Sequence, residues 1–209
     1  MAPDLHGRDH FERAYAALRT RLEHHHYRSG ERISISLLAS ELGLSQTPIR
    51  EALSRLVGQN LLLDQRGEGY YVPRIDAPQI AGLYGLYQTL LDAGLRTIRC
   101  PRDDYPRSLP LAEPDETIAA RVAALLQRIV QKAKDPPLAQ TAMLVDLRLR
   151  PLRNVEQKVF DDLALEADEL SGILSSGSRS MVRRAIRLYH QRRQRAAHLI
   201  LAQVNDNGR

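Results

Sequence analysis

Gly43 and Pro48, with four residues between them, constrain this chain more than any other feature of it. A glycine reaches the left-handed backbone conformation that ends a helix, and proline is tolerated in a first helical turn, where its missing N–H would have no partner anyway. Two helices are therefore expected to meet there at a tight turn. The first has Ser34 as its N-cap and Leu37, Leu38 and Leu42 as buried positions, and the second opens on Ser45 and carries Ile49, Ala52, Leu53 and Leu56 on one face. Upstream, from Asp9 to Tyr27, Phe11, Tyr15, Leu18 and Leu22 recur at helical spacing, and Arg28-Ser29-Gly30 ends that stripe. Downstream, Leu61 to Asp64 and Tyr70 to Val72 are strand-like runs around the loop Gln65-Arg66-Gly67-Glu68-Gly69. Helix, helix, helix, hairpin within about 65 residues is the order of a winged helix-turn-helix.

Past Pro73 and Pro78 the pattern becomes helical throughout. Gln79 to Arg99 places Ile80, Leu83, Leu86 or Tyr87, Leu90 or Leu91, and Leu95 inward. Four prolines between Cys100 and Pro114 read as an exposed connector. Asp115 to Lys134 is expected to be helical with Asp115 as cap and Ile118, Val122, Leu125, Ile129 and Val130 inward, until Pro136-Pro137 stops it. A short helix over Leu138 to Arg150, a long one over Asn154 to Leu174 and a last one over Ser180 to Val204 complete the set. In the last, Met181, Ala185, Leu188, Arg192 and Leu199 form the expected buried stripe. The expected fold is mainly α: a winged helix-turn-helix over residues 1–75 and an all-α bundle of about five helices over residues 76–209.

Composition narrows the function. With 43% hydrophobic and 26% charged residues, the 209-residue chain can build a packed core, so global disorder is excluded. No apolar run approaches the roughly 20 residues of a membrane span, and Met1 to Asp9 lacks the apolar segment of a signal peptide; a soluble, cytoplasmic protein is expected. The single cysteine, Cys100, rules out an internal disulfide or a thiolate-rich zinc site. No phosphate loop and no Ser/His/Asp constellation is present, so no enzyme, catalytic residue or cofactor is expected. His24-His25-His26 point about 100° apart on a helix and suit a helix end better than a metal. His190 and His198 read as surface or helix-packing residues, and no metal site is assigned.

The net charge of +5 comes from 27 Arg and three Lys against 25 acids. Residues 1–75 hold ten Arg and nine acids, so most of the excess lies further on. It concentrates in Arg179, Arg183, Arg184, Arg187, Arg192, Arg193 and Arg195, with no acid between them. A solvated face, a surface for an anion or acidic partner, and extra DNA contact are all open readings of that helix.

The helix that opens at Ser45 presents Gln46, Thr47, Arg50 and Ser54 opposite its apolar face. In the major groove an Arg can pair with guanine O6 and N7, a Gln with adenine, and a Thr methyl with thymine, while the free N–H groups at the helix start suit a phosphate. Gly30-Glu31-Arg32-Ile33, Leu38-Ala39, the run Leu42-Gly43-Leu44-Ser45-Gln46-Thr47-Pro48-Ile49-Arg50-Glu51-Ala52-Leu53-Ser54-Arg55-Leu56, and Gly67-Glu68-Gly69-Tyr70-Tyr71-Val72 together resemble the DNA-binding domain of the GntR family of bacterial transcription regulators. The resemblance covers about residues 11 to 74. It implies a homodimer on a short palindrome of double-stranded DNA, one recognition helix per half-site, with contacts from Ser45, Gln46, Thr47 and Arg50 and from Arg66 and Gly67 of the wing. Gln46 stands where the family commonly has Arg, Ser36 where an Arg is often found, and Glu68 adds a negative charge to the wing.

The remaining residues are similar in size and class to the helical effector domain of the family's FadR branch, many members of which bind a divalent metal through an Asp and three His. Here Tyr87 and Leu91 replace the branch's usual Arg and Glu, Val159-Phe160-Asp161 has Asp161 in place of a His, and only His190 and His198 occur past residue 75. That metal site is therefore not expected. The polar candidates for a small-molecule effector pocket are Tyr84, Tyr87, Gln88 and Arg148. The expected function is a dimeric transcription regulator, a repressor, whose DNA binding responds to an effector; the alternative keeps DNA binding but makes the helical domain a ligand-free interaction or assembly module.

Overall fold

The computed structural model describes residues 5–98 and 117–207. The chain divides into two compact units, one reaching to Ile75 and the other running from Asp76 to Gln203; Val204 and the residues after it group with the first.

The first unit has α1 (Leu5–Glu23), β1 (Arg32–Ile33), α2 (Ile35–Leu42), α3 (Gln46–Gly58), β2 (Leu63–Gln65) and β3 (Gly69–Tyr71). Its core is Ala14, Leu18, Ile33, Leu38, Ile49, Ala52, Leu53, Leu56 and Leu62, with Phe11, Tyr15, Leu22 and Leu42 packed around it. Each large side chain buried here contributes about 1.5–3 kcal/mol. Ser34 Oγ accepts the Leu37 N–H at 3.3 Å and caps α2. Gly43 adopts φ 63°, and the Leu44 N–H returns to the Ala39 carbonyl at 3.0 Å. Nothing lies within 4 Å of where a Gly43 side chain would begin, so the glycine is required by backbone conformation alone. The strands form an antiparallel sheet in the order β1-β3-β2, with Ile33 opposite Tyr70 and Gln65 opposite Gly69.

Three details differ from the sequence expectation. The first helix ends at Glu23 rather than near Tyr27, and His25 already has positive φ. Leu37 is 58% exposed, because α2 turns Leu38 inward and Leu37 lies about 100° away from it. A third strand, β1, pairs with the hairpin; at two residues it is too short to show a periodicity.

The second unit contains α4 (Ala77–Thr97), α5 (Ile118–Lys132), α6 (Pro136–Val155), a 3-10 turn (Glu156–Lys158), α7 (Leu163–Ser176) and α8 (Arg179–Arg195), and is followed by α9 (Ala197–Asn207). Asp76 and Gln79 cap α4 reciprocally, the Gln79 N–H donating to Asp76 Oδ1 at 2.7 Å. Helix α4 packs on α5, α6 and α8, which makes it the centre of this unit. Its inner face settles the open choices in favour of Tyr87 and Leu91, with Leu86 45% exposed.

The helix boundaries change most where proline and arginine misled the pattern. The helix expected to stop at Arg150 continues through Pro151 to Val155, with Leu147, Leu149, Leu152 and Val155 buried on either side. Proline inside a helix costs about 3 kcal/mol, and burial of those four side chains offsets it. The break falls instead at residues 156 to 162, inside the long helix expected from Asn154 to Leu174. Helix α5 is capped by Thr117, whose Oγ1 accepts the Ala120 N–H at 3.2 Å; the expected cap Asp115 and the proline-rich stretch from Cys100 to Pro114 lie outside the described residues.

The last expected helix is two, divided at Ala196. Its buried stripe is Val182, Ile186, Tyr189, His190 and Arg193, while Met181, Leu188 and Leu199 are about half exposed. The observed stripe lies one residue on from the expected one, with Tyr189 and His190 inside in place of Leu188 and Arg193 in place of Arg192.

Candidate nucleic-acid interface

Helix α3 buries Ile49, Ala52, Leu53 and Leu56 completely, and this fixes which of its faces is free. Ser45, Gln46, Thr47, Arg50 and Ser54 all lie on exposed positions. Ser45 holds the N-cap backbone conformation but makes no capping hydrogen bond with its side chain, so its hydroxyl and the first N–H groups of α3 are free for a phosphate oxygen. Ser54 Oγ and Tyr70 Oη share a hydrogen bond of 3.1 Å. That bond ties the exposed face of α3 to strand β3 at the root of the hairpin loop. Arg66 and Gly67 are exposed at the loop tip, where Gly67 has φ 79°. The sequence did not single out Tyr70 for this role, since one aromatic residue in a strand reads first as core.

Of the four candidate effector residues, Tyr84, Tyr87 and Gln88 stand at i, i+3 and i+4 of α4 and Arg148 lies on α6. Tyr84 and Tyr87 are fully buried on α4. Gln88 accepts a hydrogen bond from Gln194 Nε2 at 3.4 Å, and Arg148 is half-buried on α6. The α6 residue that meets Tyr87 is Arg153, its guanidinium 5.2 Å from the ring centroid. Five positions along a helix rotate a side chain by about 140°, which separates Arg148 from that contact.

The interior of the second unit is polar to a degree that its composition did not announce. Asp146, Arg153, Glu156, His190 and Arg193 are all buried. Tyr84 Oη donates to Glu156 Oε1 at 2.6 Å, and Arg193 donates to Glu156 Oε2 through Nε at 3.0 Å and Nη2 at 2.8 Å. The same guanidinium reaches Glu166 and lies 3.4 Å over the Tyr189 ring. Asp146 accepts from Arg153 Nη1 at 2.5 Å, Gln127 Nε2 at 2.7 Å and Arg150 Nε at 3.3 Å. Burial opposes the charge on both Arg153 and Arg193, but acids and phenols around them hold each guanidinium protonated, above its ordinary range. The signal that would have located these residues is positional: 142, 146, 149, 153 and 156 are one continuous helical stripe, and three of the five are ionisable.

His190 Nδ1 donates to the Ile186 carbonyl at 2.7 Å, which leaves Nε2 as the bare nitrogen. Burial, reinforced by Arg153 and Arg193, pushes the imidazole down to about 3, so it is neutral at ordinary pH. Of the two readings of His190, helix packing is the one realised. A divalent metal of the kind found in the FadR branch does not fit here, because the rings of Tyr84, Tyr87 and Tyr189 and the cationic Arg153 surround His190. Among the described residues no group of three or more His, Cys, Asp or Glu side chains is placed to hold a metal ion. The Arg-rich helix is likewise only partly a solvated face: Arg193 is interior, Arg192 pairs with Asp162 and Glu166, and Arg183 pairs with Asp92 at 3.4 Å.

Residues 11–72 match the family model of bacterial regulatory proteins, gntR family. The amino-terminal domain belongs to the GntR family. Its match spans α1 through β3, all the elements that shape the exposed face of α3. The Nta operon transcriptional regulator of Aminobacter aminovorans is 29% identical over 143 residues, which is 63% of this chain and 68% of that protein. Two solved structures share the fold over most of the length. McbR/YncC of E. coli superposes with a TM-score of 0.63 at 17% identity, over 91% of this chain and 97% of its own. GntR from Rhodococcus sp. RHA1 gives 0.64, also at 17% identity, over 92% and 97%. The fold is thus a GntR-type winged helix-turn-helix followed by a helical domain, similar in its first domain to bacterial transcriptional regulators. No helix among the described residues is long and apolar enough to cross a membrane.

Proposed function

We propose that this regulator is a homodimer that represses transcription by reading a short palindromic operator, one α3 helix per half-site, and that the helical unit modulates DNA binding on taking up a small molecule. The observation that carries the reading is the division of α3 into a fully buried face and an exposed one bearing Gln46, Thr47 and Arg50. Arg50 pairs with a guanine, Gln46 and Thr47 read neighbouring base edges, Ser45 holds a phosphate, and Arg66 and Gly67 follow the adjacent backbone. The net charge of the first 75 residues is close to zero, so affinity rests on placed contacts more than on a diffuse field. The test is a selection of bound sequences from random double-stranded DNA, repeated with Arg50→Ala. A palindrome is expected, and the variant should lose about 1–3 kcal/mol and relax one position per half-site. Recovery of no preferred sequence, or equal affinity of variant and parent at fixed salt, refutes the reading.

A second reading makes the helical unit a ligand-free interaction module. It draws on Met181, Leu188 and Leu199, which are each about half exposed. A metabolite panel that shifts neither the melting temperature nor the operator affinity would favour it over the sensor.

A further inference from the structure

Helix α8 turns one face to the interior and leaves the opposite one uncovered. Val182, Ile186, Tyr189 and Arg193 are buried, so at about 100° per residue Arg184, Leu188, Gln191 and Arg195 form the outward stripe, with Met181 and Arg187 on its flanks. Met181 and Leu188 are about half exposed, and Arg184, Arg187 and Arg195 are exposed. The ion pairs of this helix use Arg183, Arg192 and Arg193. The three outward arginines therefore keep their charge unpaired among the described residues. No acid occurs anywhere on α8. A single exposed leucine is ordinary, but apolar and unpaired cationic side chains alternating along one helix face form a patch that a partner can use.

At its carboxyl end the stripe runs into a groove of about 400 Å³, bordered by Phe160, Leu188, Arg195, Ala196 and Leu199. Arg192 lies over the Phe160 ring, its guanidinium 4.4 Å from the centroid, and is paired with Asp162 and Glu166. The groove is thus apolar inside, with Arg195 at its rim. Asp161 follows Phe160 in the chain and is exposed, so an occupant's acids belong on the α8 side, over Arg184, Arg187 and Arg195. Charge decides among occupants. A second copy laid α8 on α8 sets arginines against arginines, whereas an acidic segment complements them. Length decides as well: from Arg184 to Arg195 the stripe runs about 16 Å, three turns of helix and more than a small metabolite covers. Arginine and methionine without lysine is also the composition that interface cores favour.

We propose that the outer face of α8 and the groove beside Phe160 dock an acidic amphipathic helix of a partner protein. Apolar side chains of that helix enter the groove between Leu188 and Leu199. Its Asp or Glu residues, three or four positions apart, lie over Arg184, Arg187 and Arg195. Burial of the apolar anchors holds the helix, while the arginines orient it and turn away basic segments. This surface rests on the interaction reading of the helical unit, to which it gives a partner chemistry.

The experiment is fluorescence anisotropy of the full chain with three labelled peptides of about 18 residues, long enough to span α8. The first is an amphipathic helix of leucine on one face and glutamate on the rest. The second has the same composition scrambled so that no apolar face forms, and the third replaces every glutamate by lysine. The first peptide is expected to bind, the scrambled one at least about tenfold more weakly, and the lysine one not at all. Binding should weaken as salt is raised. Leu188→Gln and the pair Arg184→Glu with Arg195→Glu change exposed positions, so both variants should melt like the parent. The first should bind the acidic peptide at least about fivefold more weakly and the second at least about tenfold. Lys134→Glu, an exposed residue between α5 and α6, should bind as the parent does. The proposal is overturned by absence of binding of the acidic peptide, by equal binding of the scrambled or lysine peptide, or by affinity unchanged in Leu188→Gln. It is overturned equally if the arginine pair changes the chain's own oligomeric state in sedimentation, which gives the face to a second copy, or lowers operator affinity with peptide binding unchanged, which gives it to DNA. A metabolite panel on the same samples separates the two levels. A metabolite that shifts operator affinity while the acidic peptide still binds removes the ligand-free module and keeps the surface, whereas no metabolite response and no peptide binding removes the surface and keeps the module.

Discussion

Acid should destabilise the helical unit through one residue, His190. Its ring is fully buried among Tyr84, Tyr87 and Tyr189, faces the guanidiniums of Arg153 and Arg193, and is held down to about 3 from an ordinary value of 6.5. In the unfolded chain the imidazole takes a proton as the pH falls through about 6.5, while the folded chain refuses it until near 3. The unfolded state therefore binds one proton more across that window, and stability falls as the pH is lowered from about 6.5 toward 3. The slope approaches about 1.4 kcal/mol per pH unit, and integration between pH 8 and pH 5 gives a loss of about 2 kcal/mol from this residue. The comparison is His190→Gln, which keeps an N–H for the Ile186 carbonyl and does not titrate. Urea unfolding followed by circular dichroism at half-unit steps from pH 8 to pH 5 yields both stability curves. Their difference isolates His190, because the carboxylates titrate in both proteins. The variant should gain about 2 kcal/mol on the parent as the pH falls. Curves that stay parallel to within about 0.3 kcal/mol would show that the histidine accepts a proton in the folded chain and would refute the reasoning.

Arg193→Met removes the guanidinium from buried Glu156 and from Glu166, leaving the first to Tyr84 and the second to Arg192, and should cost about 3–5 kcal/mol in urea unfolding at neutral pH; a loss under 1 kcal/mol would mean that those remaining donors suffice. Tyr70→Phe removes the hydrogen bond to Ser54, and should lower operator affinity by about 0.5–1.5 kcal/mol with little change in domain stability, as read by fluorescence anisotropy beside a thermal melt. Gly43→Val places a β-branched residue at φ 63°, where it is strained although nothing crowds it, and should destabilise the first unit by more than about 1 kcal/mol in a thermal melt; Gly58→Val, a helical position in equally open space, should cost less.

Some of this molecule was legible in short stretches of sequence. Ser34, Gly43 and the apolar face of α3 act within a turn or two of chain, and the structure places each as its local chemistry required. Recognition of the first domain rests on the same local run, since the turn and the exposed face of α3 are built from contiguous residues. The helical unit was legible in class but not in detail. Residues Asp146, Arg153 and Glu156 fall on the apolar stripe of α6 and its extension, yet charge reads as surface until partners are known. His190 and Arg193 occupy the inner face of α8 at the expense of Met181 and Leu188 for the same reason.

What the sequence by itself determined is therefore what depends on neighbours within a few residues: the helical class of the chain, where the turn between α2 and α3 falls, and which side chains α3 leaves exposed. Only the tertiary structure decided the register of α8, the passage of α6 through Pro151 and the burial of five ionisable side chains. The physical reason is that a buried charge is tolerable only when opposite charges and donors arrive from other helices. Tyr84, Glu156 and Arg193 stand 72 and 37 positions apart, a separation that no periodicity spans.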